Sequence, residues 1–194
     1  MNFIGLFKAS FRDPRQTFRC VADLNLPRIA LWQALALTVI VEVIFTAIGM
    51  RVEPAEIPDA FGFMREPAIS ALVQALFVVM FILVLHGILQ MSAGSNSLDD
   101  VVLAVAGVQA ILCVFSFAQL ILLILAPPMA ALLGVVSFVI FVWLLVQFIT
   151  EAAQFKSAFG SVLIIAGSLT IAGIFAGILM LMSGIVDPRD LTNV

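Results

Sequence analysis

IALWQALALTVIVEVIFTAIG, residues 29–49, is the stretch whose reading decides the fold. Its 21 residues run apolar, broken by Gln33, Thr38, Glu42 and Thr46. At about 1.5 Å per residue, a helix of that length crosses a hydrocarbon core of roughly 30 Å. Five basic residues precede it: Lys8, Arg12, Arg15, Arg19 and Arg28. The stretch thus sets the solvent and the orientation, and it holds the most unusual residue, a carboxylic acid inside a bilayer span.

The rest of the chain agrees. Hydrophobic residues make up 63% of it and charged residues 11%, where soluble chains carry roughly a quarter charged. Mean hydropathy is +1.23. A net charge of −3 and thinly spread basic residues exclude nucleic acid as a partner. Cys20 and Cys113 are expected to stay unpaired, one before the first span and one inside the third. The first apolar run is too long for a signal-peptide core and ends in Gly-Met-Arg-Val, so it is read as a retained span.

Outward from that span, residues 1–28 form a cytoplasmic leader. Phe3, Phe7 and Phe11 fall at steps of four, giving an aromatic stripe suited to the headgroup boundary, with Arg12, Arg15 and Arg19 beside it. The other reading of this segment is a terminus that packs on the bundle. Asp13-Pro14 reads as N-cap and first helical position of a second short helix. Four more spans follow, at about 68–91, 99–125, 129–150 and 157–183, leaving a tail at 184–194. A polar loop rich in proline joins the first two, and Pro127-Pro128 reads as a tight return between the third and fourth. The fold class is all-α: five transmembrane helices after an amphipathic leader. Ala106-Gly107 and Ala166-Gly167 sit 60 residues apart, a faint echo that pairs spans two and three with four and five.

Five spans put the termini on opposite sides. With the N-terminus inside, that side carries six Lys and Arg and the other carries three. The positive-inside rule therefore places the N-terminus in the cytoplasm and the C-terminus outside an inner, cytoplasmic membrane.

Arg12-Asp-Pro-Arg15 with Phe18, then Leu26-Pro-Arg28 and Trp32 opening a long span, resemble the short bacterial branch of the Yip family, the Ypt/Rab-interacting five-span membrane proteins. The Gly94-Ser95-Asn96-Ser97 connector is similar to the Gly/Ser turn of that family. The resemblance implies five helices, a cytosolic N-terminus and association with itself or its relatives. In eukaryotic members it implies vesicle traffic and Rab recruitment. The Asp-Leu-Tyr-Gly-Pro and Gly-Tyr strings of those members are absent, and the chain has no tyrosine. Binding of a Rab-type GTPase is therefore not carried over.

Glu42 needs a reason to be where it is, since a charge at helix centre costs about 2.5–3.5 kcal/mol on insertion scales. Counting along the spans puts Glu42, Gln74 and Gln119 at one depth and Gln33, His86, Gln109 and Gln147 at another. Two polar layers would pin helix register. In that reading Glu42 is a protonated acid donating to a glutamine of a neighbouring span. In the other it is a proton or cation site on a small path. No span has an internal proline of the kind that breaks transporter helices. No His, Cys and acid cluster suggests a metal, no cofactor is implied, and no nucleophile context suggests an enzyme. On span five, Ala166, Thr170, Gly173 and Gly177 line one side and include a GxxxG, for packing within the molecule or for homo-oligomerisation. The expected function is a non-enzymatic, Yip-like organiser of the lipid bilayer acting through helix contacts. The alternative is a small-solute or ion pathway at Glu42.

Overall fold

The computed structural model describes residues 3–53, 66–93, 97–155 and 157–183. All seven elements in them are helices: α1 (Phe3–Arg12), α2 (Pro14–Ala22), α3 (Arg28–Val52), α4 (Pro67–Ala93), α5 (Leu98–Leu125), α6 (Pro127–Ala152) and α7 (Ala158–Met182). The last five are long and apolar enough to cross a membrane. The loop at 54–65, the connector at 94–96, Lys156, the tail at 184–194 and the side chain of Phe3 lie outside the described residues.

Helix boundaries follow local chemistry. Asp13 accepts from the backbone N–H of Gln16 and Pro14 opens α2, satisfying one orphan donor and removing another. Ser97 and Asp100 cap α5 reciprocally, each side chain bonding the other's backbone N–H. Pro127 and Pro128 do not form the return between spans. They occupy the first turn of α6, where a missing N–H removes no intrahelical bond. Asn25 takes φ 46° beyond the end of α2, a left-handed position that asparagine tolerates, and the chain turns there into α3.

Contacts at both ends of each pair give the direction of packing. Arg28 meets Asp99 at 3.1 Å, Thr38 meets Gln109, and Glu42 meets Ser116, so α3 and α5 run parallel. Gly107 faces Phe148 while Gly134 faces Gln119, so α5 and α6 run antiparallel. A second pair, α4 with α7, packs extensively and joins the first group through smaller contacts. The two sites of the Ala106-Gly107 and Ala166-Gly167 echo differ in their surroundings. Ala106 is buried and Gly107 abuts an aromatic ring, whereas Ala166 is exposed and Gly167 faces open space. Outside the core the surface is itself apolar, with Ile40, Ile44, Val135 and Phe138 among its exposed side chains, as a lipid-facing surface requires.

Candidate functional site

Three features gather the residues singled out above: the docked leader, the seam between α3 and α5, and the face of α7.

Two rings of the leader's aromatic stripe pack on the bundle. The rings of Phe7 and Phe11 lie 6.1 Å and 6.0 Å from that of Phe115 on α5 and 5.1 Å from each other. Phe115 lies 17 residues beyond Leu98, about 26 Å along α5 at the helical rise. For Phe7 and Phe11 these contacts match the second reading of the leader, a terminus that packs on the bundle. Below it, α2 lies along the last turns of α6. Phe18 meets Phe148 at 5.6 Å, Arg15 Nε donates to Gln147 Oε1 at 2.8 Å, and Arg19 donates to Glu151. Glu151, by that hydrogen bond and then by its charge, raises the Arg19 pKa above the ordinary guanidinium value. Arg12 and Lys8 remain exposed. The sequence carried a signal for this dock: arginines at i and i+4 match an amide and an acid at i and i+4 on α6.

The seam between α3 and α5 is polar along its length. Thr38 Oγ1 donates to the Leu35 carbonyl at 2.8 Å and sits 2.8 Å from Gln109 Oε1. Cys113 Sγ approaches the Thr38 carbonyl at 3.8 Å. Ser116 Oγ lies 3.0 Å and 2.9 Å from the two oxygens of Glu42. Gln109, Cys113 and Ser116 recur at steps of four and three, so one face of α5 delivers all three groups to α3.

This seam revises the two expected layers. Glu42 finds a serine, which sequence counting overlooked, rather than a glutamine; serine hydroxyls are unremarkable in spans and only their facing partner gives them meaning. Gln119 lines the same cavity as Glu42 but lies against Gly134 of α6. Gln74 belongs to a different groove, beside Gly173 and Gly177. Gln109 has Thr38, Gln147 has Arg15, and Gln33 is exposed. His86 is half-buried with Nδ1 unpaired in the described residues. Cys20 and Cys113 are both free.

Beyond Glu42 the seam opens into a cavity of about 280 Å³ lined by Phe45, Thr46, Gly49, Gln119, Leu120 and Leu123. Gly49 and Leu123 are three and two residues from the C-terminal ends of their helices. In the opposite direction lie the Thr38–Gln109 contact and buried Leu35, Val39 and Ile111.

On α7 the buried face is Ser161, Ile165, Ser168, Ala172 and Ala176. Ala166, Thr170 and Gly173 are exposed, and a Cβ added at Gly173 or Gly177 would meet nothing within 4 Å. The two glycines of the GxxxG line a groove with residues of α3 and α4 without close contact to them. No group of His, Cys, Asp and Glu among the described residues is placed to hold a metal.

One family model matches the chain, over residues 8–183, and its description is Yip1 domain. The match takes in the second half of α1, all of α2 and all five long helices. No curated protein and no solved structure matches the chain.

Proposed function

This chain belongs to the Yip1 domain family, and on that premise we propose that it is a non-enzymatic membrane organiser that acts through helix contacts, with the docked leader as its working arm. The observation that carries this reading is the way the leader is held. Its apolar side is used on Phe115 and Phe148, while Lys8 and Arg12 stay exposed on the other side. An exposed basic edge beside an apolar bundle suits a neighbouring membrane protein that brings acidic groups. Self-association and contact with relatives follow as the modes of action, and Rab-type binding is not part of the proposal. In this proposal the basic leader keeps the N-terminus in the cytoplasm, and the C-terminus lies outside the inner membrane.

The test is reconstitution of the full chain into anionic vesicles. Parent protein should alter vesicle size or cluster in crosslinking, and Phe115→Ala, which unseats the arm, should reduce the effect while the spans remain inserted. Unchanged vesicles with monomeric protein would overturn the scaffold reading. Labelling of Ser95→Cys from outside would overturn the orientation.

The second reading is a solute or ion pathway, and Glu42 in its cavity is the observation that favours it. A through-path needs polar groups continuing past Glu42, and the seam there narrows to the Thr38–Gln109 contact. Flux present in the parent and lost in Glu42→Gln would establish the pathway in place of the scaffold.

A further inference from the structure

We propose that the cavity between α3 and α5 is a dead-end binding inlet for one small monovalent cation, held by the Glu42 carboxylate. The inference goes beyond the scaffold reading and stands on separate residues.

The inlet has a direction. Its lining runs from Glu42 and Ser116 along α3 and α5 to Gly49 and Leu123, close to the C-terminal ends of both helices. It stops at Glu42, because the next contacts of the seam, Cys113 on the Thr38 carbonyl and Thr38 on Gln109, bring the helices together. Among the described residues the polar lining ends at Glu42 and does not continue past the Thr38–Gln109 contact.

Glu42 is short of partners. Ser116 lies within hydrogen-bond distance of both carboxylate oxygens, yet a hydroxyl has a single proton to give. Cys113 faces the same carboxyl from α5 and brings no positive charge. The ion pairs among the described residues, Arg19–Glu151 and Arg28–Asp99, lie elsewhere. A carboxylate in a span that faces a hydroxyl and a weakly donating thiol, with no counter-charge among the described residues, is costly, and either a proton or a bound cation relieves that cost. Oxygen donors are at hand: two from Glu42, and the hydroxyls of Ser116 and Thr46 with the amide of Gln119 on the same cavity. One carboxylate matches one positive charge. A calcium ion takes more oxygen ligands than this lining offers, and a magnesium ion gives up its octahedral shell of waters reluctantly.

The experiment uses the purified full chain in mild detergent with a hydrophobic carbodiimide, which adds to membrane carboxyl groups that carry a proton, so that a bound cation protects by displacing it. Labelling is read by mass spectrometry of the Glu42 peptide at one pH and constant ionic strength, in choline, sodium or potassium chloride. Glu42 should label in choline and be protected several-fold by sodium or potassium. Ser116→Ala should weaken that protection. The melting temperature of the parent should rise when sodium or potassium replaces choline, and that rise should vanish in Glu42→Gln. Equal labelling in all three salts would overturn the proposal, and so would a Glu42 that does not label in choline. Should Glu42→Gln fail to fold, labelling of the parent and of Ser116→Ala decides the matter alone.

Discussion

The α3–α5 and α4–α7 seams hold by opposite means. Between α3 and α5, side chains bond across the interface: Thr38 to Gln109, and Ser116 to Glu42. In the second pair, α4 brings bulk, with Ile82, Leu85 and Leu89 fully buried, and α7 brings small residues, Ser161, Ser168, Ala172 and Ala176. Hydroxyls on that face of α7 are satisfied elsewhere, Ser168 by its own Ile164 carbonyl and Ser161 by Thr150 of α6. Hydrocarbon tails are as apolar as leucine, so apolar area alone does not drive helices together in a bilayer. One seam answers with hydrogen bonds that fix register, the other with the dispersion gained when large side chains enter gaps left by small ones. Each seam also leaves open space at one end, the polar one beyond Glu42 and the other beside Gln74, Gly173 and Gly177.

The largest effect is expected where filling is complete. Leu85 is fully buried, so Leu85→Ala should destabilise the protein by about 2–5 kcal/mol. Unfolding in mixed micelles measures it. A loss below about 1 kcal/mol would mean that α4 is held by something other than close packing.

Next comes the same seam tested from its other side. Ala172 is fully buried on α7, and Ala172→Leu should cost about 1–3 kcal/mol by overpacking. The exposed neighbour Ile171 provides the control, since Ile171→Leu leaves that interface untouched. Equal stability of the two variants would remove the contrast between the seams.

Much of this was legible in the sequence, and the boundary of legibility is physical. Bilayer thickness dictates span length, so five apolar stretches gave five helices without reference to any partner. Which helix meets which was not legible, because leucine, isoleucine and valine in a span carry no address. The Asp13-Pro14 cap could be read since its partner, Gln16, is three residues away. Glu42 could be seen as needing a partner, but Ser116 is 74 residues distant and looks like any helical serine. The same holds for Phe115: nothing in its neighbourhood says that the leader lies on it.

On the polar seam the expected effect is smaller. Ser116→Ala removes the hydroxyl from Glu42, and hydrogen bonds between spans average about 0.6 kcal/mol with a maximum near 1.7. The variant should fall in that range by the same unfolding assay. A loss comparable to Leu85→Ala would mean that the polar contacts, not the packed ones, hold the bundle.

The smallest effect separates packing from assembly on α7. Gly173 and Gly177 border a groove with Thr46, Ser70 and Gln74, and an added methyl meets nothing there. Gly173→Ala with Gly177→Ala should therefore leave stability within about 0.5 kcal/mol of the parent. If the GxxxG were packed inside the molecule, two methyl groups would force helices apart and the loss would approach that of Ala172→Leu. Oligomeric state, read by crosslinking or by mass in native detergent, adds a second axis. A variant that keeps its stability but dissociates would assign the open face of α7 to contacts between copies, since a methyl harmless within one molecule is harmful only where another backbone comes close. A variant unchanged on both axes would leave the close-packed face at Ala172 and Ala176 as the small-residue surface that α7 uses.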